Sequence, residues 1–498
     1  MAASDTSSRI HLLAEDISWD DATWILTSSF IIFTMQTGFS LLESGCVRRK
    51  NHVSIILKNC CDPLFSGLAF WTIGYGLSLT ADTAVADGTV SHRNPFIGFG
   101  DFLVDSTQVD MGQLFATYAY RLSLISVATT IVLGAMTERI TFLAYCLFSF
   151  LITIVFSVPS YWIWSPNGFL RQWLAVDVAG CSTVHLAGGM SGLIATLILK
   201  PRLGRFSQNA GTFAMSSPTN ALLGTFMLWW GWVGLHMSSA FGVSNNKWKY
   251  SARSAVSTIM SSSIGGTTAL LLSYLFMRHK FDIKLFICGL LSGLVSVSAG
   301  CTLYQPWESL IIGFIGSLLS IGNIPVLRLM KIDDPINTIS IHLIGSIWGM
   351  LALAIFVQKD TLLQMTYNQT GLIYGGSMRL LYVQMLAIVC IAVWSALATA
   401  VILPSMRLLL AIRLSLNDEL RGADFAEHNT SHEANDDTLL PQNTSLKTNK
   451  SVARMRLKKV LTALKATHRM SSYHRRNSFL KRHVKQNQTK TLAGGHLV

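Results

Sequence analysis

The chain is short of charge. Only 13% of its 498 residues are Asp, Glu, Lys or Arg, where soluble domains carry about 25%. It also lacks a cysteine pattern. Cys46, Cys60, Cys61, Cys146, Cys181, Cys288, Cys301 and Cys390 form no CxxC pair and no dense framework. That argues against a zinc ribbon and a disulfide scaffold, and leaves small residues within apolar runs. Residues 1–20 lack a charged n-region and an A-x-A-like site, so no cleavable leader is expected and the first apolar run serves as an uncleaved anchor. No nucleophile–base pair is evident, which weakens an enzymatic reading.

Long apolar runs take the place of charge. Half of the residues are hydrophobic and the mean hydropathy is +0.43. A bilayer core takes about 20 apolar residues per helix. Runs near 23–43, 62–80, 113–136, 140–160, 178–199, 219–241, 252–277, 284–301, 308–329, 335–357 and 380–405 predict eleven spans. The expected fold is therefore an all-α polytopic membrane protein. Its parts are an outer segment 1–20, a membrane domain 21–406 and a tail 407–498. An odd number of spans puts the termini on opposite sides. Lys and Arg split 13 to 7 between the two sets of connections, with Lys58, Arg139 and Arg202 among the 13, and the tail joins the larger set. The positive-inside rule then predicts a cytoplasmic C-terminus and an extracellular N-terminus. The sequon at Asn368 falls in an outer loop and is a glycosylation candidate.

From Met406 onward there are 17 Lys or Arg against 7 Asp or Glu. Beside a membrane, such charge points to anionic lipid headgroups rather than nucleic acid. Within it, residues 452–470 place Val452, Met455, Val460, Leu461 and Leu464 largely on one helical face, with basic residues around them. This pattern suits an anionic lipid surface or calmodulin. The alternative is a solubilising tail without structure. Ser478, after Arg475 and Arg476, is a phosphorylation candidate that would oppose lipid attraction.

An internal repeat carries the functional reading. The fifth span holds Asp177, His185, Gly188, Gly189 and Gly192; the tenth holds Asp334, His342, Gly345, Ser346 and Gly349. Both read D-x7-H-x2-G-[GS]-x2-G. Five spans separate the copies, so the two helices run oppositely, as in an inverted 5+5 repeat with one extra helix. Each Asp stands where it can cap a helix start. Eight residues at 1.5 Å rise put each His about 12 Å deeper, one from either side. The two are expected to meet near the midplane. A lone membrane histidine is often interhelical hydrogen-bonding glue, but two at matching repeat positions mark a pathway. Two imidazoles without a third ligand do not make a metal site, and no cofactor is expected.

The blocks QTGFSLLESGCVRRKN (36–51), GAMTERI (134–140), DVAGCSTVHLAGG (177–189) and DDPINTISIHLIGSIWG (333–349) resemble those of the ammonium transporter (Amt/Mep) family. Gly422–His428 resembles the family's regulatory C-terminal segment. The resemblance runs over residues 20–430. It implies an eleven-helix protomer, a homotrimer in the plasma membrane and one pore per protomer for ammonium, ammonia or methylammonium. His185 and His342 match the paired pore histidines. Trp164, Ser239 and Asp177 match the outer recruitment site, and Tyr120 a vestibule aromatic. Read singly, Trp164 is equally an interface-belt tryptophan and Ser239 equally helix glue. The sequence departs from the family at the pore mouth. Leu124 and Leu235 stand where two stacked Phe are usual, His236 where Asn is usual, and Arg121 lies beside the vestibule. An apolar gate of Leu124 and Leu235 is expected. The rival readings are an Rh-like neutral gas channel and an ammonium sensor signalling through its tail.

Overall fold

The computed structural model describes residues 17–79, 94–105, 111–207 and 213–430. The amphipathic stretch 452–470, Ser478 and residues 1–16 lie outside them. Eleven long helices follow one another: α1 Trp19–Cys46, α2 Arg49–Ser78, α3 Met111–Met136, α4 Phe142–Trp164, α5 Cys181–Leu199 and α6 Pro218–Ser238. Then come α7 Lys247–Phe276, α8 Ile283–Gly300, α9 Pro306–Leu329, α10 Ile339–Phe356 and α11 Met378–Met406. Ten of them are long and apolar enough to cross a membrane; the other is α6. Among the described residues the only extended pairing is a single bridge between Ile140 and Arg413.

Helix starts follow local chemistry. Ser217 accepts from the Asn220 N–H at 3.2 Å ahead of Pro218, so α6 has both a side-chain cap and a first-turn proline. Gln305 and Glu308 form a capping box at α9. Small residues then let helices approach. Ser261 Oγ donates to the Gly293 carbonyl at 2.6 Å, and Ser317 Oγ to that of Gly265 at 3.0 Å, stitching α7, α8 and α9.

The second helix starts at Arg49 and not near 62, where its apolar run begins. Lys58 and Asn59 read as loop residues by polarity, yet both are buried in α2. Lys58 Nζ donates to the Ile140 carbonyl at 2.9 Å and pairs with Glu427 at 3.4 Å. Arg139 and Arg202, also counted among the loop cations, are buried too. Arg202 pairs with Asp333 at 2.8 Å and Glu138 at 2.6 Å, Arg48 with Glu138 at 2.5 Å, and Arg205 with Asp333 at 3.3 Å. Burial pushes the Glu138 and Asp333 carboxyls up. The guanidinium groups more than reverse this, Arg202 and Arg48 at Glu138, Arg202 and Arg139 at Asp333, and hold both below the usual carboxylate range.

The chain forms two compact units, residues 1–404 with 411–433, and residues 405–410 with 434–498. Of the second, the described part is 405–410, a helix end and a turn. Composition places the start of the tail at 407. Residues 411–430 belong to the membrane unit and include two short helices, α12 Leu416–Arg421 and α13 Ala423–His428. Asp424 accepts from the Val53 and Ser54 N–H groups at 3.0 and 2.7 Å, Asn51 Oδ1 from the Ala423 N–H at 2.8 Å, and Glu427 from the Phe142 N–H at 2.7 Å. Acidic side chains thus satisfy exposed N–H groups near the start of α2 and of α4.

Candidate functional site

Both repeat histidines sit in wide π-helical turns, Cys181–Leu186 and Ile339–Ile344, that open α5 and α10. Such turns are rare and concentrate at functional sites. Asp177 anchors the first. Its carboxylate accepts from the N–H groups of Gly180, Cys181 and Ser182 at 2.7–2.9 Å, and from the Ser182 hydroxyl at 2.6 Å. Asp334 anchors the second through Thr338 N at 2.9 Å and Ile339 N at 2.7 Å. Backbone donors that α5 and α10 cannot use are satisfied in both places.

His185 and His342, 157 residues apart, meet with their Nδ1 atoms 3.4 Å apart. For this contact to be a hydrogen bond, one Nδ1 carries the hydrogen and the other accepts. Both rings are buried, at 0% and 4% exposure. The backbones approach because residue 189 is glycine: a Cβ there would stand 2.5 Å from the Leu343 nitrogen. Trp232 of α6 stacks on both rings, with centroids 5.1 Å from His185 and 6.1 Å from His342. Sequence reasoning did not see Trp232 as a partner of the histidines. The signal was present as a span tryptophan three residues before the gate position, but nothing in one sequence fixes its facing.

His236, which follows Leu235, is buried and held at both ring nitrogens, by Thr258 Oγ1 at 2.8 Å and Ser298 Oγ at 2.9 Å. Leu124 and Leu235 are both buried in the same apolar cluster, as is Tyr120. The Tyr120 ring meets Phe241 edge-on at 5.0 Å and its hydroxyl lies 3.5 Å from Ser238 Oγ. Ser239 caps α6 and donates to the Leu235 carbonyl at 2.9 Å. Trp164 is partly buried, and its Nε1 donates to the Asp177 carbonyl at 2.8 Å. This ties it to the base of the first repeat copy. Arg121 is not ion-paired among the described residues, and its Nε and Nη1 atoms are buried without an acceptor. Asn368 is exposed in the loop before α11. Among the described residues no three His, Cys, Asp or Glu side chains gather as metal ligands.

A helical bundle of membrane length, with two facing imidazoles at the heart of two matching broken helices, defines a polytopic membrane protein with a built intramembrane polar site. Comparison with known proteins gives the family. The model of the Ammonium Transporter Family matches residues 23–433, and the chain belongs to that family. It is 43% identical over 82% of its length to a Caenorhabditis elegans protein named "Putative ammonium transporter 3", of whose length it spans 60%. It is 32% identical to ammonium transporter 3 of Dictyostelium discoideum, over 82% of this chain and 93% of that one. Among solved structures it matches a sensor Amt protein, with TM-score 0.73, 27% identity and coverage of 82% and 98%. Candida albicans Mep2 shares the fold at TM-score 0.70 and 24% identity, over 82% and 88% of the two chains.

Proposed function

We propose that this protein carries ammonium or ammonia across the plasma membrane through a lumen lined by His185 and His342. The observation that carries the reading is the contact of these two imidazoles, Nδ1 to Nδ1 at 3.4 Å, from two oppositely running copies of one motif. Ammonium is a small cation with four N–H donors. The face of Trp164 attracts it and the Ser239 hydroxyl accepts from it, with Tyr120 beside them and Asp177 fixing the turn behind. Apolar Leu124 and Leu235 penalise the bare cation. Loss of a proton gives a neutral molecule that passes them. The facing imidazoles then offer one acceptor and one donor, and relay protons along the slot. Potassium has no proton to shed and is rejected.

The membrane unit assembles as a homotrimer, with the N-terminus outside and the C-terminus in the cytoplasm. Glycan at Asn368 fits that topology, and the tail meets anionic lipid or calmodulin. Sensing is a second reading, favoured by the Asp424 and Glu427 hydrogen bonds that join the C-terminal segment to the starts of α2 and α4. Uptake under voltage clamp, comparing ammonium, methylammonium and potassium, tests the proposal. Saturable ammonium flux that excludes potassium is expected. Flux indifferent to potential would favour a neutral gas channel, and no flux, with a tail-dependent signal, a sensor.

A further inference from the structure

Arg121 of α3 carries a charge that the histidine pathway does not use. Its Nε and Nη1 atoms are buried without an acceptor. A guanidinium stays protonated in proteins. Among the described residues its electrostatic neighbours are the Tyr75 and Tyr120 hydroxyls, with no carboxylate among them. Past the other end of α3 the arginines are treated differently. There Arg139 and Arg202 both face Asp333, at 4.0 and 2.8 Å. Two inner cations are compensated and the outer one is not. A cation held away from water without a counter-charge is costly, so Arg121 calls for an explanation.

Its position supplies one. Arg121 lies ten residues into α3, which starts at Met111, or about 15 Å along the helix. Leu124 stands three residues deeper. The adjacent Tyr120 places its hydroxyl 3.5 Å from Ser238 Oγ, next in sequence to Ser239, which the transport reading assigns to recruitment. On the α2 side, Tyr75 forms a triad with Phe70 and Tyr118, ring centroids 5.5–5.8 Å apart. The charge thus sits between an aromatic wall and the recruitment residues, one turn above the apolar gate. Away from bulk water it is weakly screened, and it acts through an effective dielectric of about 20 rather than about 80. There it raises the energy of the ammonium cation and leaves neutral ammonia untouched.

We propose that Arg121 is a specificity-determining residue of the outer mouth, which weakens recruitment of the ammonium cation by charge repulsion. The proposal rests on the transport reading above and adds a residue that the repeat does not contain. It makes the chain a low-affinity carrier. Arg121 discriminates by charge, whereas Leu124 and Leu235 discriminate by size.

The test uses the full-length protein in liposomes and initial rates of uptake over a range of substrate concentrations. Arg121→Met keeps an apolar stem and removes the charge. It should lower KM for ammonium on the order of tenfold, the effect of charges about 10 Å apart at that dielectric. KM for methylammonium should fall by the same factor, because both substrates carry one charge. Arg121→Lys keeps the charge and should leave both KM values near those of the natural protein. Damage to the fold would lower maximal flux without tightening KM. If Arg121→Met does not yield folded protein, Arg121→Gln is read in its place. Natural flux with an unchanged KM in the uncharged variant defeats this inference alone. A KM that falls for one substrate and not the other assigns Arg121 to size selection and also overturns it. A third arm replaces chloride by gluconate. If KM then shifts in the natural protein but not in Arg121→Met, an anion neutralises the guanidinium and the inference fails. Absence of ammonium flux in the natural protein defeats the transport reading, and this inference with it.

Discussion

The two copies of the repeat are built to the same plan but held differently. In the first, Asp177 accepts from four backbone N–H groups at 2.7–3.4 Å and from the Ser182 hydroxyl, and its own carbonyl is held by Trp164. In the second, Asp334 accepts from two N–H groups. The neighbouring Asp333 instead ties the base of the copy to Arg202 and, through it, to Glu138. One copy is fixed by backbone and hydroxyl dipoles and the other by an ion-pair network as well. A shared motif thus sets where each histidine goes, while the means of holding it depends on how much charge the surroundings can solvate.

The largest expected effect comes from removing what the copies share. His185→Ala or His342→Ala should cut ammonium flux by about a hundredfold, the scale of a lost positioned proton-transfer group, at equal surface expression. His342→Asp should instead relax potassium exclusion, because a fixed charge stabilises a cation that cannot shed a proton. Normal flux in the double alanine variant would end the paired-histidine mechanism.

Next come the anchors, where the copies should part. Asp177→Asn keeps shape but removes the charge from four N–H bonds. A loss of about 2–4 kcal/mol is expected, and about half as much for Asp334→Asn, with each charged hydrogen bond contributing about 1.5–3 kcal/mol. Chemical denaturation in detergent, followed by tryptophan fluorescence, reads the difference. Equal losses would mean that the bond count does not set the stability of the two turns.

A smaller effect is expected at the mouth. Leu124 and Leu235 come from α3 and α6, outside the repeat motif. Replacing both by Ala should raise the methylammonium-to-ammonium flux ratio several-fold, since each truncation removes three carbons from a buried apolar contact. An unchanged ratio would place the narrow point elsewhere.

Acid should separate the copies most gently. Glu138 and Asp333 are held below their unfolded values of about 4. Their contribution is therefore present above that pH and is lost as pH falls toward the depressed folded values. Hydrogen exchange at residues 199–205 should stay slow from neutrality to about pH 5. It should quicken below about pH 4, while the turn after Asp177 responds less. Arg202→Gln should abolish the step, and an identical acid response at both turns would refute the contrast.

How much of this was legible in the sequence varies by residue. His185 and His342 could be paired from spacing alone, because a repeated motif separated by five spans has a geometric consequence. Trp232 was not legible. It is an ordinary residue of an apolar run, and only its facing decides its part. Lys58 was misplaced among loop cations because polarity reads as exposure until a partner such as Glu427 is supplied from 369 residues away.

The sequence by itself determined the all-helical membrane class with ten or eleven long helices, the antiparallel sense of the two motifs and the acid that caps each one. These follow from local apolar length, hydrogen-bond chemistry and the parity of crossings. The tertiary structure alone decided which rings stack on the histidines, that the Arg121 guanidinium is left without an acceptor at Nε and Nη1, and where the C-terminal segment binds. Those outcomes depend on distances between helices remote in sequence. In a membrane, where apolar burial discriminates little among helix pairings, close packing of small residues and satisfaction of buried polar groups decide them.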